Sequence, residues 1–247
     1  MHENEKQNWE DLASLDPFWA ILTDPKKKFG KWEKDEFFQI GENEVNEVIE
    51  LSKKLKHPKE FKTVLDFGCG VGRVSRSLSK YFDECYGIDI SDEMINKANE
   101  LNKNISNCKF QVSTNNDLKE FSNERFDFVY SNIVLQHILS KTDVKSIISE
   151  FLRVLKKDGL LVFQLPSYIP WKYRIQPKRR IYKILKILGF DKKFLYKKLG
   201  LIPFGMSYIS EKEIVNFLKD KDGKILDITS ITNPHTLIQN NKYFVTK

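Results

Sequence analysis

The chain has 247 residues, of which 40% are hydrophobic and 13% aromatic, enough to bury a real core and too much for a disordered chain, although 30% are charged. Three cysteines, Cys69, Cys85 and Cys108, are too few and too scattered for a disulfide framework. No C-x-x-C pair gives zinc spacing either, so a reducing, cytoplasmic setting is expected. The acidic start MHENEKQNWEDL and the lack of any apolar run near ~18 residues argue against a signal peptide and against a membrane span.

Residues 1–57 precede the first β-like run and carry Trp9, Trp19 and Trp32, three of the four tryptophans, and they read as a helical lid. A core is expected over 58–167, opening with FKTVLDF at Phe61, ECYGIDI at Glu84, CKFQVS at Cys108 and FDFVYS at Phe126. In TDVKSIISEFLRVLKKDG, Val144, Ile147, Ile148, Phe151, Leu152 and Leu155 make one apolar stripe of helical period, with Thr142 and Asp143 as its expected cap and Gly159 as its expected end. GLLVFQL follows as a fifth strand. Strands alternating with helices, several of them almost wholly apolar, predict a parallel sheet covered on both faces.

Residues 168–206 form an insertion of different composition. From Trp171 to Gly200 there are eleven Lys and Arg against the single acid Asp191, a net of +10 in a chain whose total is +7. In PKRRIYKILKIL, Ile181, Ile184, Leu185 and Leu188 share a helix face, with Arg179, Lys183 and Lys186 away from it, so a short cationic amphipathic helix is expected. It could cap a pocket for an anionic ligand, rest on an anionic membrane, or bind nucleic acid. Its place after the fifth strand, at the crevice where open α/β sheets bind ligands, favours the cap. Residues 207–247 return to the sheet: Ser210 and Glu213 form a capping box, and KILDITS and KYFVTK are too close for a helical crossover, so they pair antiparallel at the edge.

The stretch VLDFGCGVGRVSRSL carries the chemistry. A buried strand ends at Asp66, Gly68, Gly70 and Gly72 follow at alternate positions, and a helix begins with Val74, Leu78, Tyr81 and Phe82 on one side, an arrangement that brings bare backbone against a ligand. Asp89 ends the second strand 21 residues after Gly68, where a carboxylate can accept both hydroxyls of a ribose, so an adenosine-containing cofactor is implied. A dinucleotide site wants G-x-G-x-x-G, whose third glycine would fall on Arg73, and the Gly-Lys-Ser/Thr of a P-loop is absent.

Together with CYGIDISDEMINKAN, FDFVYSNIVLQHI and FLRVLKKDGLLVFQLPS, this stretch resembles the class I S-adenosylmethionine-dependent methyltransferases over roughly residues 60–166. The resemblance implies a Rossmann-like seven-stranded sheet, mostly parallel with an antiparallel last strand, and S-adenosyl-L-methionine as cofactor. It assigns Asp66, Gly68, Cys69, Gly70 and Gly72 to the loop around the methionine part, and Asp89 to the ribose. Ile90 and Met94 would lie against the adenine, Asp117 and Leu118 would read the adenine edge, and Ser131 and Asn132 would line the methyl end. The sequence KKDGLL departs from the common Lys-Pro-Gly-Gly, with Gly159 expected to keep the turn. On local grounds Ser91, Asp92 and Glu93 read as a helix cap and first turn, Cys69 as a small loop residue, and Asn115 and Asn116 as turn residues.

Methyl transfer needs alignment and desolvation more than acid–base groups. His137, just past the fourth strand, is the candidate general base, and Gln136 a weaker candidate for orienting substrate. SNIV stands where methyltransferases of exocyclic base amines carry Asn/Asp-Pro-Pro-Tyr, and no cysteine lies there for cytosine C5 chemistry. The N-terminal stretch resembles a subgroup found in bacterial surface-polysaccharide and other small-molecule biosynthesis, in which Phe37, Phe38 and Gly41 would close over the cofactor. The expected acceptor is thus a small anionic metabolite, a sugar or a phosphorylated or nucleotide-linked intermediate. A membrane-associated quinone or lipid methyltransferase and a non-catalytic cofactor- or RNA-binding module are the alternatives.

Overall fold

The computed structural model describes residues 3–113 and 117–247, so the turn expected at Asn115 and Asn116 lies outside the described residues. Strands β1 (Thr63–Phe67), β2 (Glu84–Asp89), β3 (Cys108–Val112), β4 (Phe126–Ser131), β5 (Leu155–Tyr168), β6 (Lys224–Thr232) and β7 (Gln239–Thr246) form one sheet in the order β3-β2-β1-β4-β5-β7-β6. The first five are parallel, and β7 runs antiparallel to both β5 and β6, as the short final connection requires. Every residue of β1 and β4 is buried, which is why these central strands read as continuous apolar runs.

The register sets Asp66 beside Gly87 and Tyr130, and Asp89 beside Val112. The carboxyl ends of β1, β2, β3 and β4 therefore meet along one edge of the sheet, and the loops that leave them converge there.

Helices cover both faces. The stripe of α6 (Lys141–Val154) packs on one face with Phe67, Val129 and Leu161. Its N-cap is Ser140, whose hydroxyl accepts from the Asp143 backbone at 3.2 Å, rather than Thr142 or Asp143. Gly159 does not end it either: the helix passes directly into β5 at Leu155, and the positive φ of the KKDG segment falls on Asp158. Ser210 caps α10 (Glu211–Lys219), accepting from the Glu213 backbone as expected, while the Glu213 carboxylate pairs with Lys141 and Lys145.

The opposite face is covered by α3 (Lys34–Leu55), whose Val45, Val48 and Ile49 pack with Val64, Phe128 and Val162. The other end of α3 carries Phe37 and Phe38 into an aromatic cluster with α1 (Glu3–Leu15) and α2 (Pro17–Ile21), centred on Trp19 and Phe18. The N-terminal helices are thus part sheet cover and part lid.

The insertion folds into α7 (Trp171–Arg174), α8 (Pro177–Ile187) and α9 (Lys192–Lys197). It is tied to the lid by charge. Buried Asp11 of α1 accepts from Lys186 at 3.1 Å and from Lys192 at 2.7 Å, and the Tyr196 hydroxyl donates to Asp16 at 2.8 Å. Of the apolar face of α8 only Leu185 turns toward the small inner cluster of Tyr182, Leu195 and Leu201, whereas Ile181, Ile184 and Leu188 are exposed. No helix among the described residues is long and apolar enough to cross a membrane.

Candidate active site

A cavity opens at the convergence of the strand ends, between the sheet, the lid and the insertion. The loop after β1 forms its floor. It is pinned to β2 by the N–H groups of Gly68 and Cys69, which both donate to the Ile88 carbonyl at 2.8 and 2.9 Å. Gly68 and Gly70 have φ of 75° and 53°, a region that disfavours side chains. A Cβ added at Gly68 would lie 2.3 Å from Cγ2 of Val134, and at Gly70 2.5 Å from Cδ1 of Ile21. Both positions present bare backbone to the cavity.

Asp89, Ile90 and Met94 line the next wall. The Asp89 carboxylate accepts from the Gly70 backbone at 2.9 Å through Oδ2 and from the Ser91 backbone at 3.0 Å through Oδ1. Each oxygen keeps a lone pair for a further donor, as a ribose diol requires. Burial pushes this carboxyl above its ordinary value, against the opposing pull of the Ser91, Gly70 and Ile90 N–H groups.

Ser91 caps α5 (Asp92–Leu101), accepting from Met94. The lid reinforces this turn: Glu10 of α1 accepts from the Asp92 and Glu93 backbones at 2.6 and 3.1 Å and from the Ser91 hydroxyl at 3.0 Å. A carboxylate from one helix thereby caps another, where the helix dipole favours negative charge. This anchors α1, which contributes Asn8 and Trp9 to the cavity wall.

The far wall holds Asn132, Ile133, Val134 and His137 after β4, and Arg179, Pro203, Phe204 and Gly205 from the insertion. His137 sits in a 3₁₀ turn (Leu135–His137), its ring against Trp9 and Phe204 at 5.3 and 5.7 Å. Its Nδ1 lies 3.1 Å from the Gly205 carbonyl oxygen, which can only accept, so Nδ1 carries the proton. Nε2 then accepts from the Gln136 amide at 3.2 Å. Burial draws the imidazole down to about 4, with the Gly205 contact opposing, so the ring is neutral near pH 7. His137 thus lines the cavity, and its ring holds the Gly205 segment against the end of β4.

Asn132 is fixed from below. Its amide donates to Glu44 of α3 at 2.7 Å, and the same carboxylate accepts from the Tyr130 hydroxyl at 2.5 Å and from Arg73 at 2.9 Å. Burial works to raise Glu44, but Arg73, Lys242 and the Tyr130 hydroxyl together hold it below its ordinary value. It is therefore a charged, half-buried anchor.

Seven of the expected site residues meet at the cavity: Gly68, Gly70, Asp89, Ile90, Met94, Asn132 and His137. Asp66, Cys69, Gly72, Ser131, Asp117 and Leu118 are not part of its wall. Asp66 is buried under the loop, accepting from the Ser75 hydroxyl at 2.5 Å. Cys69 is buried with its thiol toward the Gly70 carbonyl. Gly72 faces away from the cavity, where a Cβ would come 2.7 Å from Asn102 and Phe110. Ser131 is buried within β4, Leu118 is in the core, and Asp117 pairs with Lys119 on the surface. Phe37 and Phe38 are buried in the lid cluster, and Gly41 abuts Arg73. Sequence reading gave no site role to Trp9, Ile21, Glu44 or Phe204, which no local motif marks, and named Arg179 only as one cation of the expected cap. Ile133, a β-branched residue at φ 63°, is a further strained position on the wall.

The wall fits S-adenosylmethionine: bare backbone at two glycines, a carboxylate with spare acceptor capacity, and apolar Ile90 and Met94 beside it.

Residues 65–163 match a family described as a methyltransferase domain. The methyltransferase YcgJ of Bacillus subtilis is 35% identical over 98 residues, which are 39% of this chain and 37% of that protein. Phosphoethanolamine N-methyltransferase 3 of Arabidopsis thaliana is 31% identical over 110 residues, 43% of this chain and 22% of that protein. The matched segments thus span less than half the length of these curated relatives. Among solved structures, an S-adenosylmethionine-dependent methyltransferase of Methanosarcina mazei has a TM-score of 0.56 at 25% identity, covering 76% of this chain and 93% of that one. Magnesium protoporphyrin IX methyltransferase of Synechocystis PCC 6803, solved with bound SAH, shares the fold with a TM-score of 0.58 at 16% identity over 94% and 97% of the two chains. Residues 65–163 thus match a methyltransferase domain, and the chain shares its fold with S-adenosylmethionine-dependent methyltransferases.

Proposed function

We propose that the protein is an enzyme that methylates a small anionic acceptor, an oxygen of a sugar or of a phosphorylated or nucleotide-linked intermediate. The observation that carries this reading is that one cavity joins the glycine loop and Asp89 on one side to Arg179 on the other. Arg179 forms no ion pair with an acid among the described residues, and its guanidinium can grip a phosphate or carboxylate through two N–H groups. The phosphate implied by the name of the Arabidopsis thaliana relative belongs to the same chemical class, and sugar acceptors agree with the N-terminal resemblance.

S-adenosylmethionine supplies an activated methyl group on a positively charged sulfur. Gly68, Gly70, Asp89, Ile90 and Met94 would hold it. Asn132, its amide nitrogen held by Glu44, keeps its oxygen available to the cavity. Trp9, Ile21, Val134 and Phe204 exclude water, and alignment in such a site is worth ~7–11 kcal/mol. His137 braces the acceptor side through Gly205 as a neutral ring.

Calorimetric titration with S-adenosylmethionine and S-adenosylhomocysteine, with NAD as control, tests the cofactor half. Methyl transfer assayed over nucleotide sugars, sugar phosphates, phosphoethanolamine and neutral sugars tests the acceptor half. Tight cofactor binding with turnover confined to anionic acceptors is the expected result. Turnover of neutral acceptors alone would overturn the anionic class.

A further inference from the structure

The insertion turns its apolar side outward. On α8 and at its C-cap, Ile184, Ile187 and Leu188 are 58%, 85% and 67% exposed, while Tyr182 on the opposite side is buried and Lys186 reaches in to Asp11. Ile181, Phe190 and Phe194 extend the same exposed apolar surface, and Trp171, 72% exposed, stands at the start of α7. Exposing several large aliphatic and aromatic groups in one segment marks an interaction surface. Of the eleven Lys and Arg of the same segment, Lys186 and Lys192 pair with Asp11 and Arg179 lines the cavity, which leaves eight cations in this segment against Asp191 alone.

We propose that this face docks on an anionic lipid membrane surface, the apolar residues of α8 and α9 entering the headgroup boundary while the flanking lysines and arginines meet lipid phosphates. Charge decides among occupants. A second copy docking face to face would set one strongly cationic segment against another. Nucleic acid would stack on exposed rings such as Trp171, Phe190 and Phe194, but the exposed face of α8 itself is aliphatic, and Ile181, Ile184 and Ile187 offer a base no ring to stack on. An anionic bilayer satisfies the aliphatic and the cationic groups together. The inference is independent of which acceptor is methylated.

The test is co-sedimentation of the full chain with phosphatidylcholine vesicles, with and without phosphatidylglycerol, at low and high salt. Binding is expected only with phosphatidylglycerol, falling as salt rises. Ile184→Glu/Ile187→Glu should weaken it roughly tenfold or more, and Ile184→Leu/Ile187→Leu should restore it. Both positions are exposed, so thermal unfolding and cofactor titration of these variants should match the parent. No sedimentation with anionic vesicles, or sedimentation indifferent to the Glu substitutions, would overturn the proposal. A dimer in size-exclusion chromatography that the Glu variant dissolves would overturn it in favour of a second copy. A salt-sensitive gel shift of RNA, abolished by the Glu variant while vesicles go unbound, would overturn it in favour of nucleic acid.

Discussion

The Asn132 amide donates to Oε1 of Glu44 at 2.7 Å, so a helix that begins in the lid reaches beneath the sheet edge and fixes the polar group at the end of β4. The same carboxylate is the ion-pair partner of the buried Arg73, whose Nε and Nη1 find no other acceptor among the described residues. Glu44→Ala should therefore leave a buried, unpaired guanidinium and cost about 3–5 kcal/mol, a fall of roughly 10 °C in unfolding midpoint for a chain of this size. Differential scanning calorimetry checks this, and an unchanged midpoint would refute the anchoring role.

Asp89→Ala removes the acceptor for the Gly70 and Ser91 N–H groups and for a ribose. Cofactor affinity should fall by about 1–3 kcal/mol, while the buried core keeps the chain folded. Calorimetric titration reads the loss directly.

Gly68→Ala places a Cβ against Val134 in a φ region that resists side chains. It should cost about 1–3 kcal/mol of stability and lower cofactor affinity. Gly189→Ala, also at positive φ but with nothing near its Cβ, should carry only the backbone cost and leave cofactor binding intact. Comparing the two by urea denaturation and titration separates strain from cavity shape.

Arg179→Ala should raise KM for an anionic acceptor by roughly tenfold or more, with cofactor affinity unchanged, because a charge-assisted hydrogen bond is worth about 1.5–3 kcal/mol. Equal loss with neutral and anionic acceptors would remove Arg179 from acceptor recognition.

Two buried groups pull the pH dependence of stability in opposite directions. Burial lifts Asp66 from 3.8 to about 7, opposed by the Ser75 hydroxyl and Arg73, so its contribution is present below the unfolded value and lost as pH rises through about 7. Burial draws His137 from 6.5 to about 4, so its contribution is present above 6.5 and lost as pH falls toward 4. In the parent chain they partly offset. Asp66→Asn should shift the slope of urea midpoint against pH upward over that window, and His137→Gln should shift it downward. Slopes that match the parent in both variants would show that neither group is shifted.

The seven strands, the stripe of α6, the N-cap of α10 and the cofactor loop could all be read from sequence, because each rests on neighbours within a few residues: apolar runs, helical period, cap spacing, alternate glycines. Even there the tertiary structure decided the division of labour, since residues at alternate positions of a tight loop face different ways. Gly70 looks into the cavity while Gly72 packs against Asn102 and Phe110. Of the acceptor side, only the expectation of a cationic cap could be read, without the residues that meet there. Trp9, Ile21, Arg179 and Phe204 come from segments far apart in the chain, and only the docking of lid and insertion through Asp11 and Asp16 brings them together. The sequence also determined that α8 has an apolar side and a cationic one. Which side would face outward was settled by the tertiary fold: buried Asp11 draws in Lys186, and Tyr182 and Leu185 fill the inner cluster, so the isoleucines are left to the surface.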